Sequence, residues 1–177
     1  MPRLFVAIRP PEPVRDLLLD LMEGMSGARW QDEEQLHLTL RFIGEVDRHT
    51  AQDVHAALGS LHHPAFDLAL SGLGMFDRRG VPATLWAGVG PAEPVRSLHR
   101  KVDQAVARAG LEPERRAFHP HITLARLGRG AGPLDAFLAR SGGLTSPPFH
   151  VDSFALIESR LGPGGAIHSV LESYPLT

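Results

Sequence analysis

Two tetrapeptides of the 177-residue chain repeat one pattern of side chains: His37-Leu38-Thr39-Leu40 and His121-Ile122-Thr123-Leu124. Neighbouring residues on a strand point to opposite faces. In extended backbone each copy therefore sets one imidazole and one hydroxyl on one face, about 7 Å apart, and two aliphatic side chains on the other. An imidazole titrates at about 6.5, so near neutral pH one ring can be charged while another is not. Two such rings across a cleft form a general acid and a general base, and the threonine hydroxyls can donate hydrogen bonds to anionic oxygens. No Ser, Cys or Asp nucleophile accompanies either copy. The chemistry that suits this set is in-line displacement at a phosphodiester, with one ring activating the nucleophile and the other protonating the leaving alkoxide. Each such group is worth ~10²–10⁴ in rate.

A single His-x-Thr on a half-buried strand is ordinarily a satisfied surface pair. Its recurrence in a chain with ten histidines is what gives it weight. The other eight histidines are read as structural. His62-His63 sits at a helix end, where imidazolium suits the helix dipole. His119 stands two residues before His121, a spacing that hints at metal, but no third His or carboxylate lies near it, so no metal site is expected.

A phosphate needs a cation. Arg41 follows the first motif and Arg126 the second. By strand parity Arg41 shares the face of His37 and Thr39, whereas Arg126 lies opposite His121 and Thr123 unless the strand twists or ends near Ala125. Pattern alone therefore favours Arg41. Lys101 is the only lysine among 18 Lys and Arg. Arginine's planar fork suits phosphate oxygens, although biased genome composition explains the excess equally well.

These residues need a scaffold. Leu4–Arg9 reads as a strand closed by Pro10 and Pro11, and Pro13 suits the first turn of a helix whose core face is Val14, Leu17, Leu18, Leu21 and Met25. QDEEQ is a polar loop and His37–Ile43 a strand. Thr50 with Asp53 resembles a capping box ahead of Val54, Leu58 and Leu61. Phe66–Leu73 and Leu85–Val89 read as strands around an RRGVPA turn. Val95, Leu98, Val102, Val106 and Ala109 mark a third helix ended by Gly110. After the strand His121–Leu124, GRGAGP is a loop and Leu134–Leu138 a short helix. Phe149–Glu158 and Ile167–Tyr174 form strands around GPGG. Helices alternate with hairpin-like strand pairs, which favours α+β over a doubly wound parallel sheet. No long linker divides residues 1–177.

Composition bounds the rest. Apolar residues make up 43% and charged residues 21%, with a formal net charge of −2. Such a chain does not coat nucleic acid by bulk attraction. The absence of cysteine excludes disulfides, thiolate catalysis and Cys-ligated metals. The N-terminus shows no signal-peptide pattern and no apolar run reaches the ~20 residues of a membrane span, so a soluble cytoplasmic protein is expected.

The chain resembles the 2H phosphoesterase superfamily, defined by paired His-x-Thr/Ser-x motifs, and within it the RNA 2′,3′-cyclic phosphodiesterases, also called 2′-5′ RNA ligases. RLFVAI, RWQDEEQLHLTLRFIGEV, GMFDRRGVPATLWAGV, FHPHITLAR and LIESRLGPGGAIHSVLESYPL carry the resemblance over nearly the whole length. His168 departs from it, standing where an aromatic is frequent. The resemblance implies two pseudo-symmetric α+β lobes, each an antiparallel sheet with helices, around a central groove lined by one motif from each. It implies metal-independent hydrolysis of RNA 2′,3′-cyclic phosphate ends to 2′-phosphate, without cofactor, and a possible 2′-5′ ligation. His37 and His121 would then be acid and base, in an order the sequence does not decide. Thr39, Thr123 and Arg126 would hold phosphate, and the resemblance moves Arg126 above Arg41.

The expected partner is an RNA end bearing a cyclic phosphate, with no membrane and no obligate protein partner, acting as a monomer. Phe42, Phe76 and Trp86 are candidates for stacking bases, against plain core packing. Arg78-Arg79 and Arg115-Arg116 are candidates for steering phosphates, against solvated loop charge. Two other readings stay open. One is a phosphodiesterase acting on small cyclic nucleotides, an ADP-ribose cyclic phosphate or 2′-5′ oligonucleotides. The other is a non-catalytic RNA- or nucleotide-binding module.

Overall fold

A computed structural model describes residues 1–177. In chain order the elements are β1 (Arg3–Ile8), α1 (Glu12–Leu21), β2 (Ser26–Trp30), a 3-10 turn (Glu33–Gln35), β3 (Leu38–Glu45), α2 (Arg48–Gly59), β4 (Phe66–Arg78), β5 (Val81–Gly90) and α3 (Ala92–Arg108). There follow β6 (His121–Gly132), α4 (Leu134–Ser141), β7 (Phe149–Val151), β8 (Ser153–Gly162) and β9 (Gly165–Pro175). The class is α+β. Every strand pairing is antiparallel, in the order β7-β4-β5-β6-β3-β1-β8-β9, with β2 added to β6. No helix is long and apolar enough to cross a membrane.

The sheet divides in two. One half is β7-β4-β5-β6 with β2, the other β3-β1-β8-β9. They meet at a single residue pair, Leu38 with Ile122, so β3 and β6 diverge on either side of it. Both residues belong to the repeated tetrapeptides. The aliphatic faces of these strands, Leu38, Leu40, Ile122 and Leu124, are buried in the main core with Val95, Leu98, Val102 and Val106 of α3. The opposite face is left for polar groups.

Several boundaries differ from the sequence-based expectation. α1 ends at Leu21 and buries Val14 and Leu18, while Leu17 is 39% exposed; Met25 reaches the core from beyond the helix. The residues after α1 turn at Gly24 and Gly27, both at positive φ, and form β2. GRGAGP is no loop but runs into the outer part of β6, where Ser26 pairs with Gly132 and Ala28 with Leu127. Glycine suits this crossing because the two backbones nearly touch. A Cβ on Gly27 would stand 3.2 Å from Ala131 Cα, and one on Gly128 would stand 3.2 Å from the Gly27 carbonyl oxygen. The cap of α2 is Asp47, which accepts a hydrogen bond from the Thr50 backbone N–H at 2.7 Å; Thr50 is already inside the helix. β4 and β5 extend to a two-residue turn, Arg79-Gly80, with positive φ at both positions.

Candidate active site

The antiparallel pairing of Leu38 with Ile122 sets the two motifs head to tail. In that register His37 stands across from Thr123, and Thr39 across from His121. Beside this junction opens a groove of about 950 Å³. His37, Thr39, Phe42, Thr123, Arg126 and His168 are among its lining residues. His121 opens β6 beyond this lining, with its ring 4.8 Å from Phe76 and 5.9 Å from Trp86.

The two arginines part company through strand bulges. In the pairing of β1 with β3, Ala7 faces Thr39 and Val6 faces Arg41, so Leu40 is an extra residue. In the pairing of β5 with β6, Trp86 faces Thr123 and Leu85 faces Ala125, so Leu124 is an extra residue. Each bulge falls on the fourth residue of its motif. A bulge sets two residues against one and inverts the alternation that follows. The position just past the leucine therefore turns to the helix side, and the next returns to the groove. Ala125 and Arg41 take the first place, Arg126 and Phe42 the second.

Arg41 accordingly does not share the face of His37 and Thr39, as parity predicted. It is 8% exposed, ion-paired with Asp103 of α3, and donates through Nη2 to the Glu112 carbonyl at 2.5 Å. Arg126 lines the groove, and its Nη1 donates to Thr84 Oγ1, which lies outside that lining, at 3.2 Å.

Both catalytic candidates favour the neutral imidazole. The pKa of His37 is lowered to about 4, first by burial, then by the nearby His168, Arg9 and Arg15, with the Gln35 backbone opposing. The pKa of His121 is lowered by burial, with smaller contributions from His119 and Arg126, while the His119 backbone opposes. His121 Nδ1 lies 2.6 Å from the His119 carbonyl oxygen. A carbonyl can only accept, so Nδ1 carries the proton and Nε2 is the free lone pair.

Three features of the site escaped the sequence reading. The His119 carbonyl orients His121, and the His119 ring packs 4.7 Å from Trp86; no group of three His, Asp or Glu is placed to hold a metal. Thr84 holds Arg126. His168 brings a third imidazole to the groove, 5.3 Å from His37, with its Nδ1 buried and unpartnered. Phe42 and Phe76 are 66% and 37% exposed, so neither is a core residue, whereas Trp86 is half-buried.

A two-halved antiparallel sheet with one His-x-Thr motif from each half over a shared groove is the architecture of the 2H phosphoesterases. The chain superposes on crystalline E. coli LigT in complex with 3′-AMP with a TM-score of 0.81, at 28% identity, covering 100% of this chain and 99% of that one. The chain belongs to the 2′-5′ RNA ligase superfamily, whose family model matches residues 10–163. It is 37% identical over 144 residues to an RNA 2′,3′-cyclic phosphodiesterase of Aeropyrum pernix, covering 79% of this chain and 81% of that protein. A protein of the same name from Thermus thermophilus is 35% identical over 186 residues, covering 98% and 90%.

Proposed function

We propose that this chain is a metal-independent RNA 2′,3′-cyclic phosphodiesterase that opens the cyclic phosphate at an RNA end to a 2′-phosphate. The observation that carries this reading is the Leu38–Ile122 register, which brings the two His-x-Thr motifs side by side where the halves of the sheet meet. Residues 1–177 act in it as one bilobal unit, because each half supplies one histidine, and no protein partner is required.

His121 is the general base. Its tautomer is held by the His119 carbonyl, which leaves Nε2 to take a proton from water and then stabilises the imidazolium that forms. The hydroxide equivalent attacks phosphorus in line with the P–O3′ bond. His37 gives its proton to the departing 3′-oxygen. Its low pKa in the free protein makes it a strong acid once protonated, and the entering phosphate anion is what lets it hold that proton. Thr39, Thr123 and Arg126 hold the phosphoryl oxygens and favour the more highly charged transition state. Arg41, engaged with Asp103, has no part in this. With a 5′-hydroxyl in place of water the same displacement gives a 2′-5′ linkage.

The test is an RNA ending in 2′,3′-cyclic phosphate, incubated with the protein in EDTA. The expected product is a 2′-phosphate end, with turnover abolished in His37→Ala and in His121→Ala while RNA binding survives. Loss of activity in EDTA with recovery on adding zinc, or full activity in both variants, overturns the reading.

A further inference from the structure

A second furrow opens on the far side of Arg126. It is about 1240 Å³, and its lining includes Arg78, Arg79, Arg116, Arg126 and Arg129, with Asp77 as the one carboxylate. Five guanidiniums against one acid is a strong local excess in a chain of net charge −2. Arg78 and Arg79 come from the β4–β5 turn, Arg116 from the segment before β6, and Arg129 from the outer part of β6. Elements from three parts of the chain thus converge on one positive surface.

What sets these arginines apart is that they converge on one surface while none is ion-paired, a state that Arg9, Arg29, Arg48, Arg96, Arg108 and Arg140 share only singly. Arg3, Arg15, Arg41, Arg100, Arg115 and Arg160 are each ion-paired with a carboxylate of the chain. Arg78, Arg79, Arg116 and Arg129 have no such pair, although Arg116 adjoins the paired Arg115. Their forks are free for an external anion. The furrow adjoins the candidate active site at Arg126, which lines both. Phe76 also lines the furrow, 37% exposed, with its ring 4.8 Å from that of His121. A positive channel with an exposed aromatic in its lining is the general form of a single-strand nucleic-acid site.

We infer that this furrow binds the phosphodiester backbone of single-stranded RNA on the 5′ side of the cyclised nucleotide. Phe76 stacks a base as the strand passes from the groove into the furrow. The inference rests on the function proposed above and deepens it. The terminal phosphate binds at Arg126, and the preceding phosphates bind at Arg78, Arg79, Arg116 and Arg129. The protein then prefers an RNA end to a free cyclic nucleotide without reading sequence, because arginine–phosphate contacts are indifferent to the base.

The test compares the wild-type chain with a variant carrying Arg78→Gln, Arg79→Asn, Arg116→Gln and Arg129→Gln. Asparagine is chosen at 79 because φ is positive there. Substrates are a mononucleoside 2′,3′-cyclic phosphate and oligoribonucleotides of increasing length with the same end. For the wild type, KM should fall with length and rise with salt. For the variant, turnover of the mononucleotide should stay within about twofold. Its length dependence should vanish, and its salt slope should flatten by up to ~3 log units per decade, at about 0.7 for each single-strand phosphate that no arginine neutralises any longer.

A variant that keeps the wild-type length and salt dependence overturns the inference. If the wild type turns over no cyclic phosphate, the function proposed above has failed but the furrow is still testable. Anisotropy with a labelled single-stranded RNA should then show salt-sensitive binding that the variant loses, and equal binding by both proteins refutes the furrow. An oligoglutamate of equal charge that binds as tightly as the RNA also refutes it, in favour of an acidic peptide.

Discussion

Arg41 and Asp103 form an ion pair beneath the sheet, joining the strand of the first motif to α3. Asp103 also accepts the Glu114 backbone N–H at 3.1 Å, and Arg41 holds the Glu112 carbonyl. The pair therefore ties down the segment that leads into His121. Removing one partner of a mostly buried pair leaves the other charge poorly solvated. Arg41→Ala should cost about 2–3 kcal/mol in a denaturant titration, below the range for full burial because Asp103 keeps some water contact. Arg115→Ala, whose pair with Glu112 stands in solvent, should leave the midpoint unchanged. A midpoint for Arg41→Ala equal to that of the control would refute the anchoring role.

In the proposed mechanism the pH dependence follows from two imidazoles that both titrate below their ordinary value. The base must be unprotonated and the acid protonated, so kcat/KM should trace a bell centred below pH 6.5. A lowered pKa means the proton is lost earlier as pH rises, which pulls the alkaline limb toward acid. In the complex the phosphate anion stabilises imidazolium and raises both values. The optimum for kcat should therefore lie at higher pH than that for kcat/KM. Coincident optima near neutrality would argue against the buried, neutral resting state of His37.

The same burial makes stability depend on pH. Between about pH 4 and 6.5 the unfolded chain protonates His37 while the folded chain does not, so the unfolded state binds more protons. Stability is then full above pH 6.5, falls as pH drops through that window, and levels near pH 4. A shift from 6.5 to about 4 corresponds to roughly 3 kcal/mol at about 1.36 kcal/mol per unit. His99, His121 and His168 are lowered by burial as well and add in the same sense. Denaturant titrations of His37→Gln at pH 7 and pH 4.5 should show a smaller loss than the wild type, and an identical loss would exclude His37 as a main source.

Much of this site was legible in the sequence because it rests on alternation. The His–Thr face and the aliphatic face of each motif follow from a period of two, and the pairing of motifs from their repetition. What parity could not see were the bulges at Leu40 and Leu124. Neither leucine carries a glycine or proline signal, and both are buried whether the strand is regular or bulged. The error therefore fell on the residues after them, and Arg41 and Arg126 exchanged faces. β2 was missed for a different reason. SGARW buries little and gains its place by pairing with β6, so no apolar pattern announces it. The Asp47 cap was readable but lost to Thr50, three residues along, because both residue types cap helices.

Thr84 holds Arg126, which the proposed function makes the phosphate-binding arginine, so Thr84 would act as a positioning residue. Its hydroxyl accepts from Arg126 Nη1 at 3.2 Å, and it faces Arg126 directly across the β5–β6 pairing. Thr84→Val keeps the shape and removes the acceptor. It should lower kcat/KM by about 3–10-fold, the scale of one hydrogen bond, while the unfolding midpoint barely moves. Arg126→Ala should cost at least ~100-fold, as loss of a transition-state contact does. In Thr84→Val/Arg126→Ala the threonine effect should disappear, because Thr84 acts only through Arg126. Additive losses in that double variant would show that Thr84 has another role.

His168 sets the electrostatic surroundings of His37. The two rings lie 5.3 Å apart, both against Phe5, at 5.0 Å for His168 and 5.6 Å for His37. After burial, His168 is the largest cause of the low pKa of His37. The His168 ring is itself lowered by burial, so its charge acts on His37 only on the acid side, where it is protonated. His168→Phe removes that charge and keeps an aromatic ring in place, at the cost of the ring's contact with the Glu34 backbone, so the unfolding free energy should stay within about 1 kcal/mol of the wild type. The pKa of His37 should rise part of the way back toward 6.5, since its burial remains. An NMR titration of the His37 ring should record this directly, and the acidic limb of kcat/KM, which the lower of the two pKa values sets, should move to higher pH with it. If the ring titrates unchanged while the limb moves, His168 acts on substrate rather than on His37; if neither moves, the two rings are electrostatically independent.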